Sequence, residues 1–192
     1  MEALSAVAFG VVLAASAGLR AFLPAFAASL GARVFDLPLP EYLAWLERPE
    51  ALLLFGVATL LELLGDKIPV VDHLLDSVQV FTKPALAALA ATPFLYQLAP
   101  EHAVAIGITL GAPLALGVHA TKATVRVGST AATGGVANPF LSVMEDVAAF
   151  CAVAIAFVAP VLALLVTAAL LFVLFRIAVR VRRATTRRRA PV

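Results

Sequence analysis

The sequence predicts an all-α integral membrane protein, a helical bundle of about five spans with a broken first helix and short or re-entrant segments. Three observations carry that prediction. The 192 residues are 62% hydrophobic and only 14% charged, with a mean hydropathy of +1.02, whereas a soluble domain carries about 25% charged residues. The apolar residues fall into five blocks separated by polar or proline-bearing stretches. Seven basic residues, Arg176, Arg180, Arg182, Arg183, Arg187, Arg188 and Arg189, follow Phe175, and no acid follows Asp146. The same apolar richness excludes intrinsic disorder.

The first block covers residues 3–30 and is interrupted by Ser16-Ala17-Gly18-Leu19-Arg20, with Pro24 just beyond. Ala15-Ser16-Ala17 imitates a signal-peptide cleavage site. However, no Lys or Arg precedes Arg20, and a secretory leader begins with positive charge. The block is therefore expected to be a retained span. A linker with Arg33, Asp36, Pro38, Pro40, Glu41, Glu47 and Arg48 follows. The second block covers residues 49–65, the third 84–99 and the fourth 102–121. A straight span needs about 20 residues, so the second and third are short. The fifth, residues 139–175, is longer than one span needs; Pro160 near its middle predicts a kink. Asn138-Pro139 reads as its helix start. A faint echo links Gly10–Leu13 to Gly107–Leu110, too irregular in spacing to establish a repeat.

The domain expectation is one bundle over residues 1–175 and a flexible basic tail over 176–192. Without that tail the body carries −5, so the overall basicity belongs to the tail and does not point to nucleic acid. An arginine run after an apolar segment marks a cytoplasmic flank, which predicts a cell inner membrane protein with its C-terminus in the cytoplasm. The expected partners are membrane lipids, with a homo-oligomer left open. Cys151 is the single cysteine and has no intrachain partner.

The remaining charges are clustered. Glu62, Asp66, Lys67, Asp72, Asp76 and Lys83 form one group, with His73 and Gln79 nearby; His119, Lys122, Arg126, Glu145 and Asp146 form another. Glu62 and Asp66 share a helical face, as do His119, Lys122 and Arg126. Charges within apolar spans are costly and normally pair inside the protein or face a wet cavity. The expected site is therefore a charged network of Arg20, Glu62, Asp66, Lys67, Asp72, Asp76, His119, Lys122, Arg126, Glu145 and Asp146. It serves either as an ion-paired core that fixes helix register or as a substrate or ion site. The Glu62/Asp66 face is expected to meet the Lys122/Arg126 face, with Glu145 or Asp146 completing the network.

The run Glu62-Leu-Leu-Gly-Asp66-Lys67-Ile-Pro69-Val-Val-Asp72, then His119-Ala-Thr-Lys122-Ala-Thr-Val-Arg126, then Asn138-Pro139-Phe-Leu-Ser142-Val-Met-Glu145-Asp146 resembles a family of small multi-pass bacterial membrane proteins, domain of unknown function 4126. The resemblance spans residues 10–154. It implies a membrane location and a shared polar core, and it brings no activity with it.

Three function classes follow from these residues. A small transporter or channel fits the broken and short spans with charges at the ends of the second, fourth and fifth helices. A metal-dependent enzyme acting on a lipid phosphate would use Asp72-x-x-x-Asp76 and the Val127-Gly128-Ser129-Thr130 segment. Against it, the CDP-alcohol phosphotransferase and prenyltransferase patterns are incomplete, and the metal assignment stays unknown. The third class is a structural or accessory membrane protein. No catalytic residue and no cofactor is assigned. Finally, blocks three and four form an antiparallel hairpin, so stretches 66–83 and 122–138 should share one side. With block five as one span, that side lies opposite the tail.

Overall fold

The computed structural model describes residues 3–36 and 39–189. All its regular structure is helical: α1 (Ala3–Leu19), α2 (Leu23–Val34), a 3-10 segment (Glu41–Glu47), α3 (Pro49–Gly65), α4 (Pro69–Tyr96), α5 (Ala103–Ile106), a π-helical segment (Gly107–Gly111), α6 (Ala112–Thr133), α7 (Asn138–Val158) and α8 (Pro160–Arg189). Segments 74–96, 103–133, 138–158 and 160–183 are long and apolar enough to cross a membrane, and α1 and α2 are shorter apolar helices. The chain is a polytopic membrane protein.

The expected break in the first block lies at Arg20–Phe22, between α1 and α2, and the chain reverses there. Phe9 near the start of α1 meets Phe157 edge-on at 4.9 Å, and Phe35 just after α2 stacks on the same ring at 5.4 Å. Both helices thus reach the level of Phe157, with Arg20 at the tip of the hairpin they form. At about 1.5 Å per residue, the 17 residues of α1 cover roughly 25 Å and the 12 of α2 roughly 18 Å, so both fall short of the ~30 Å hydrocarbon core. Gly18 lets α1 lie directly on α6: a Cβ there would come within 2.4 Å of Val118 Cβ.

Helix α3 climbs back beside α2, with Ser29 donating to the Leu46 carbonyl at its lower end and Glu62 at the hairpin tip near its upper end. Helix α4 then descends along α1, and Phe94 stacks on Phe9 at 4.0 Å. The rod from α5 to α6 rises again. Its π-helical segment precedes Pro113, which has no N–H to offer the helical ladder. The core is apolar and small-residue rich, with Phe9, Leu13, Phe94, Ala149, Ala152 and Ala156 in one cluster.

The polar stretches 66–83 and 122–138 are largely helical: α4 begins at Pro69 and α6 continues to Thr133. Hydropathy ends a helix at each charge, whereas a paired charge can stay on a helix inside a bundle. The fifth block, expected as one kinked span, is two helices. Ala159 adopts φ −146, ψ 78 before Pro160, a conformation that the residue before proline favours, and Pro160 starts a new helix. Helix α8 runs back to place Val181 against Gly128 near the end of α6. As expected, the α3–α4 and α6–α7 turns share one end of the bundle. The basic end of α8 joins them there rather than lying opposite. Helix α8 continues through the basic segment as far as Arg189.

Candidate functional site

Five elements converge where the α1–α2 hairpin ends. Arg20 is fully buried at its tip. Its guanidinium pairs with Asp66 just after α3 and with Asp146 on α7. It also donates to the Ser142 hydroxyl at 3.1 Å and the Ser142 carbonyl at 3.3 Å. Arginine suits this position, since its planar fork serves several acceptors at once.

Asp66 is shared. Besides Arg20, it stands 3.7 Å from Lys122 Nζ and 3.6 Å from the Arg126 guanidinium. Glu145 lies 3.1 Å from Lys122 and 3.2 Å from Arg126. Lys122 also donates to the Leu19 carbonyl at 3.4 Å, one of the acceptors released where α1 ends. At the outer edge, Lys67 donates to Asp146 and to the Ser142 hydroxyl, both at 2.7 Å. The Lys67 side chain is 36% exposed, so the network opens to solvent at that edge.

Glu62 behaves differently from the expectation. It does not pair with Lys122 or Arg126. Its carboxylate accepts the backbone N–H of Ala21 at 2.8 Å and of Phe22 at 3.2 Å, and the Gln79 amide at 2.8 Å. The physical reason is the helix break, because the first N–H groups of a helix have no intrahelical acceptor and attract negative charge. Glu62 caps the broken hairpin from the neighbouring helix.

Deeper along α4, Lys83 Nζ lies 2.9 Å from His119 Nδ1 on α6, and Lys83 is fully buried. Asp76 is half-buried on the same helix, and its charge acts on both members of that pair. Asp72 belongs to α4, but its side chain lies outside those described.

The expected residues therefore gather as follows. Arg20, Asp66, Lys67, Lys122, Arg126, Glu145 and Asp146 form one ion-paired network. Glu62 adjoins it, and His119 stands apart with Lys83. Gln79, Lys83 and Ser142 participate although the network predicted from sequence omitted them. Helical spacing held the signal for two of these, since Asp76, Gln79 and Lys83 follow at intervals of three and four. Among the described side chains, the cations Arg20, Lys67, Lys83, Lys122 and Arg126 are matched in number by the carboxylates Glu62, Asp66, Asp76, Glu145 and Asp146.

The site lies within the depth of the bundle. The 21 residues of α7 cover about 30 Å, and Ser142 and Asp146 come about one and two turns after its start. Below the site the interior is apolar, closed by the Phe9, Phe94 and Phe157 rings. An apolar groove of about 160 Å³ beside α1 and α4 is lined by Val7, Gly10, Leu95 and Leu110 and lies in this lower half. Among the described residues, no three His, Cys, Asp or Glu side chains are grouped so that they could hold a metal ion.

A family model described as a domain of unknown function, DUF4126, matches residues 7–180. No curated protein matches the chain, and no solved structure does.

Proposed function

Because the chain belongs to the DUF4126 family, whose description names no activity, we propose its function from the site itself: a small transporter or channel-like protein that moves an ion or an ion-coupled solute. One observation carries the reading. A helix pair too short to span the bilayer brings Arg20 and freed backbone N–H groups to an ion-paired network inside the bundle. Broken helices whose ends meet ionisable side chains at membrane depth are how transporters build ion sites.

The acids support transport over a metal-dependent lipid enzyme. Asp66, Glu145 and Asp146 each face a cation, so these three carboxylates are committed to ion pairs, and among the described residues none are grouped to hold a metal ion. The completeness of the pairing favours a second reading, a structural membrane protein whose ion pairs only hold helices together. The described exposed belt, including Leu53, Leu60, Phe81, Val158 and Phe172, suits a lipid partner in either case.

The positive-inside rule orients the proposed protein. Lys67 and the arginines of α8 lie at one end, and Asp36, Glu41, Glu47, Glu50 and Glu101 lie with Arg33 and Arg48 at the other. The basic end is therefore the cytoplasmic side of a cell inner membrane. The test is electrical. Purified protein in liposomes on a solid-supported membrane is given concentration jumps of H⁺, Na⁺, K⁺ and Cl⁻. Current above that of protein-free liposomes for at least one ion, lost in Arg20→Gln, supports transport. Silence for all four leaves the structural reading in its place.

A further inference from the structure

We propose that Lys83 and His119 together form a proton-binding site at the inner end of the polar column, an assignment that rests on the transport reading for its use. The geometry defines the chemistry. Nζ and Nδ1 are 2.9 Å apart. An ammonium has only donors, so Nδ1 is the acceptor and the ring carries its hydrogen on Nε2. A hydrogen on Nδ1 as well would set two donors against each other at that distance. The pair therefore holds one exchangeable proton.

That proton sits on Nζ beside a neutral ring, or on Nδ1 beside a neutral amine. One N–H bond breaks as the other forms, and the pair carries +1 either way. Release of the proton leaves both groups neutral. With the proton bound, the cations and carboxylates whose side chains are described are five of each; its release removes one positive charge from among them.

Position separates this pair from the other charges. The charged groups acting on it are Asp76 on α4, Glu62 on α3, Asp66 just after α3, and Lys122 and Arg126 on α6. Helix α1 has no ionisable side chain before Arg20 at its end. Glu62 is occupied by the amides of Ala21 and Phe22, and Asp66 by Arg20. Asp76 lies two turns nearer the basic end and is half-buried, on the side from which a proton arrives. Beyond Lys83, α4 carries no charged residue as far as Tyr96, and none precedes His119 on the rod from Ala103. The pair is the last charged station before the aromatic seal.

The experiment uses the full chain in nanodiscs with ¹⁵N-labelled histidine and lysine. A His73→Asn/His102→Asn variant leaves His119 as the sole histidine and substitutes neither member of the pair. The expected result is a neutral ring with hydrogen on Nε2, and one event between about pH 5 and 11 in which the His119 ring and Lys83 Nζ signals move together. Lys83→Met should abolish the joint event while the single histidine signal remains. Independent titration of the two groups, or a neutral ring with its hydrogen on Nδ1 and none on Nε2, overturns the assignment. Joint titration without proton current in liposomes leaves the site standing and removes its use in proton transport; silence for all four ions removes the transport reading itself. Proton current that persists in Lys83→Met at more than about one-tenth of the wild-type rate shows transport by a route that bypasses the pair, and overturns the site's role in it.

Discussion

The carboxylate of Glu62, on α3, accepts the backbone N–H of Ala21 at 2.8 Å, so one side chain closes the break in a hairpin to which it does not belong. Glu62 also accepts from Phe22 and Gln79. Removing it strands buried donors, which costs about 1–3 kcal/mol for each unsatisfied group. Glu62→Ala is expected to lower the unfolding temperature in detergent clearly. Glu62→Gln keeps one oxygen acceptor and should lose less. Equal loss in the two variants would show that the hydrogen bonds are not the source.

Asp66 and Asp146 both pair with Arg20, but their side chains are 2% and 16% exposed. Asp66 also faces Lys122 and Arg126. Breaking a buried pair on one side typically costs about 3–5 kcal/mol. Asp66→Asn is therefore expected to destabilise the protein more than Asp146→Asn. A double-mutant cycle of Asp66→Ala with Lys122→Ala should show coupling of about 0.5–3 kcal/mol. Additive effects would mean that the two residues do not share a network.

Gly18 permits the contact between α1 and α6. Its added Cβ would lie 2.4 Å from Val118 Cβ and 2.6 Å from the Ala115 carbonyl oxygen. Gly18→Ala is expected to cost about 1–3 kcal/mol by overpacking. Val118→Ala in the same chain should recover part of that loss, because it removes the valine methyl groups but leaves the carbonyl. Thermal unfolding of the single and double variants measures it.

The α7–α8 hairpin makes a topological prediction. In a Cys151→Ser background, Val136→Cys and Arg183→Cys should react with an impermeant maleimide from the same side of the membrane, and Glu101→Cys from the other. With the basic end in the cytoplasm, only Glu101→Cys is labelled on intact cells. Labelling of Val136→Cys and Arg183→Cys from opposite sides would contradict the fold; labelling of both from outside would reverse the orientation.

Much of this was legible in the chain. The break at Arg20 showed because Gly18, Arg20 and Pro24 interrupt an apolar run, and the meeting of Asp66 with Lys122 and Arg126 followed from helical spacing and the cost of unpaired charge. The partner of Glu62 was not legible, since it is backbone and backbone leaves no mark in composition. Lys83 was visible as a charge, but its pairing with His119 depends on the relative rotation of α4 and α6. The return of α8 was hidden for a different reason: Pro160 in an apolar run is compatible with a kink or a reversal.

By itself, then, the amino-acid order determined that the chain enters a membrane, that its helices are many and partly short, and that its charges must be reconciled in pairs. These follow from transfer free energies and helical periodicity, which act residue by residue. The tertiary structure alone decided which charge meets which, that Glu62 serves an interrupted helix, and that the basic end of α8 lies against the end of α6. Those outcomes depend on how helices rotate and reverse against one another, and that is settled by close approaches such as Gly18 on Val118 and the 2.9 Å contact between Lys83 and His119.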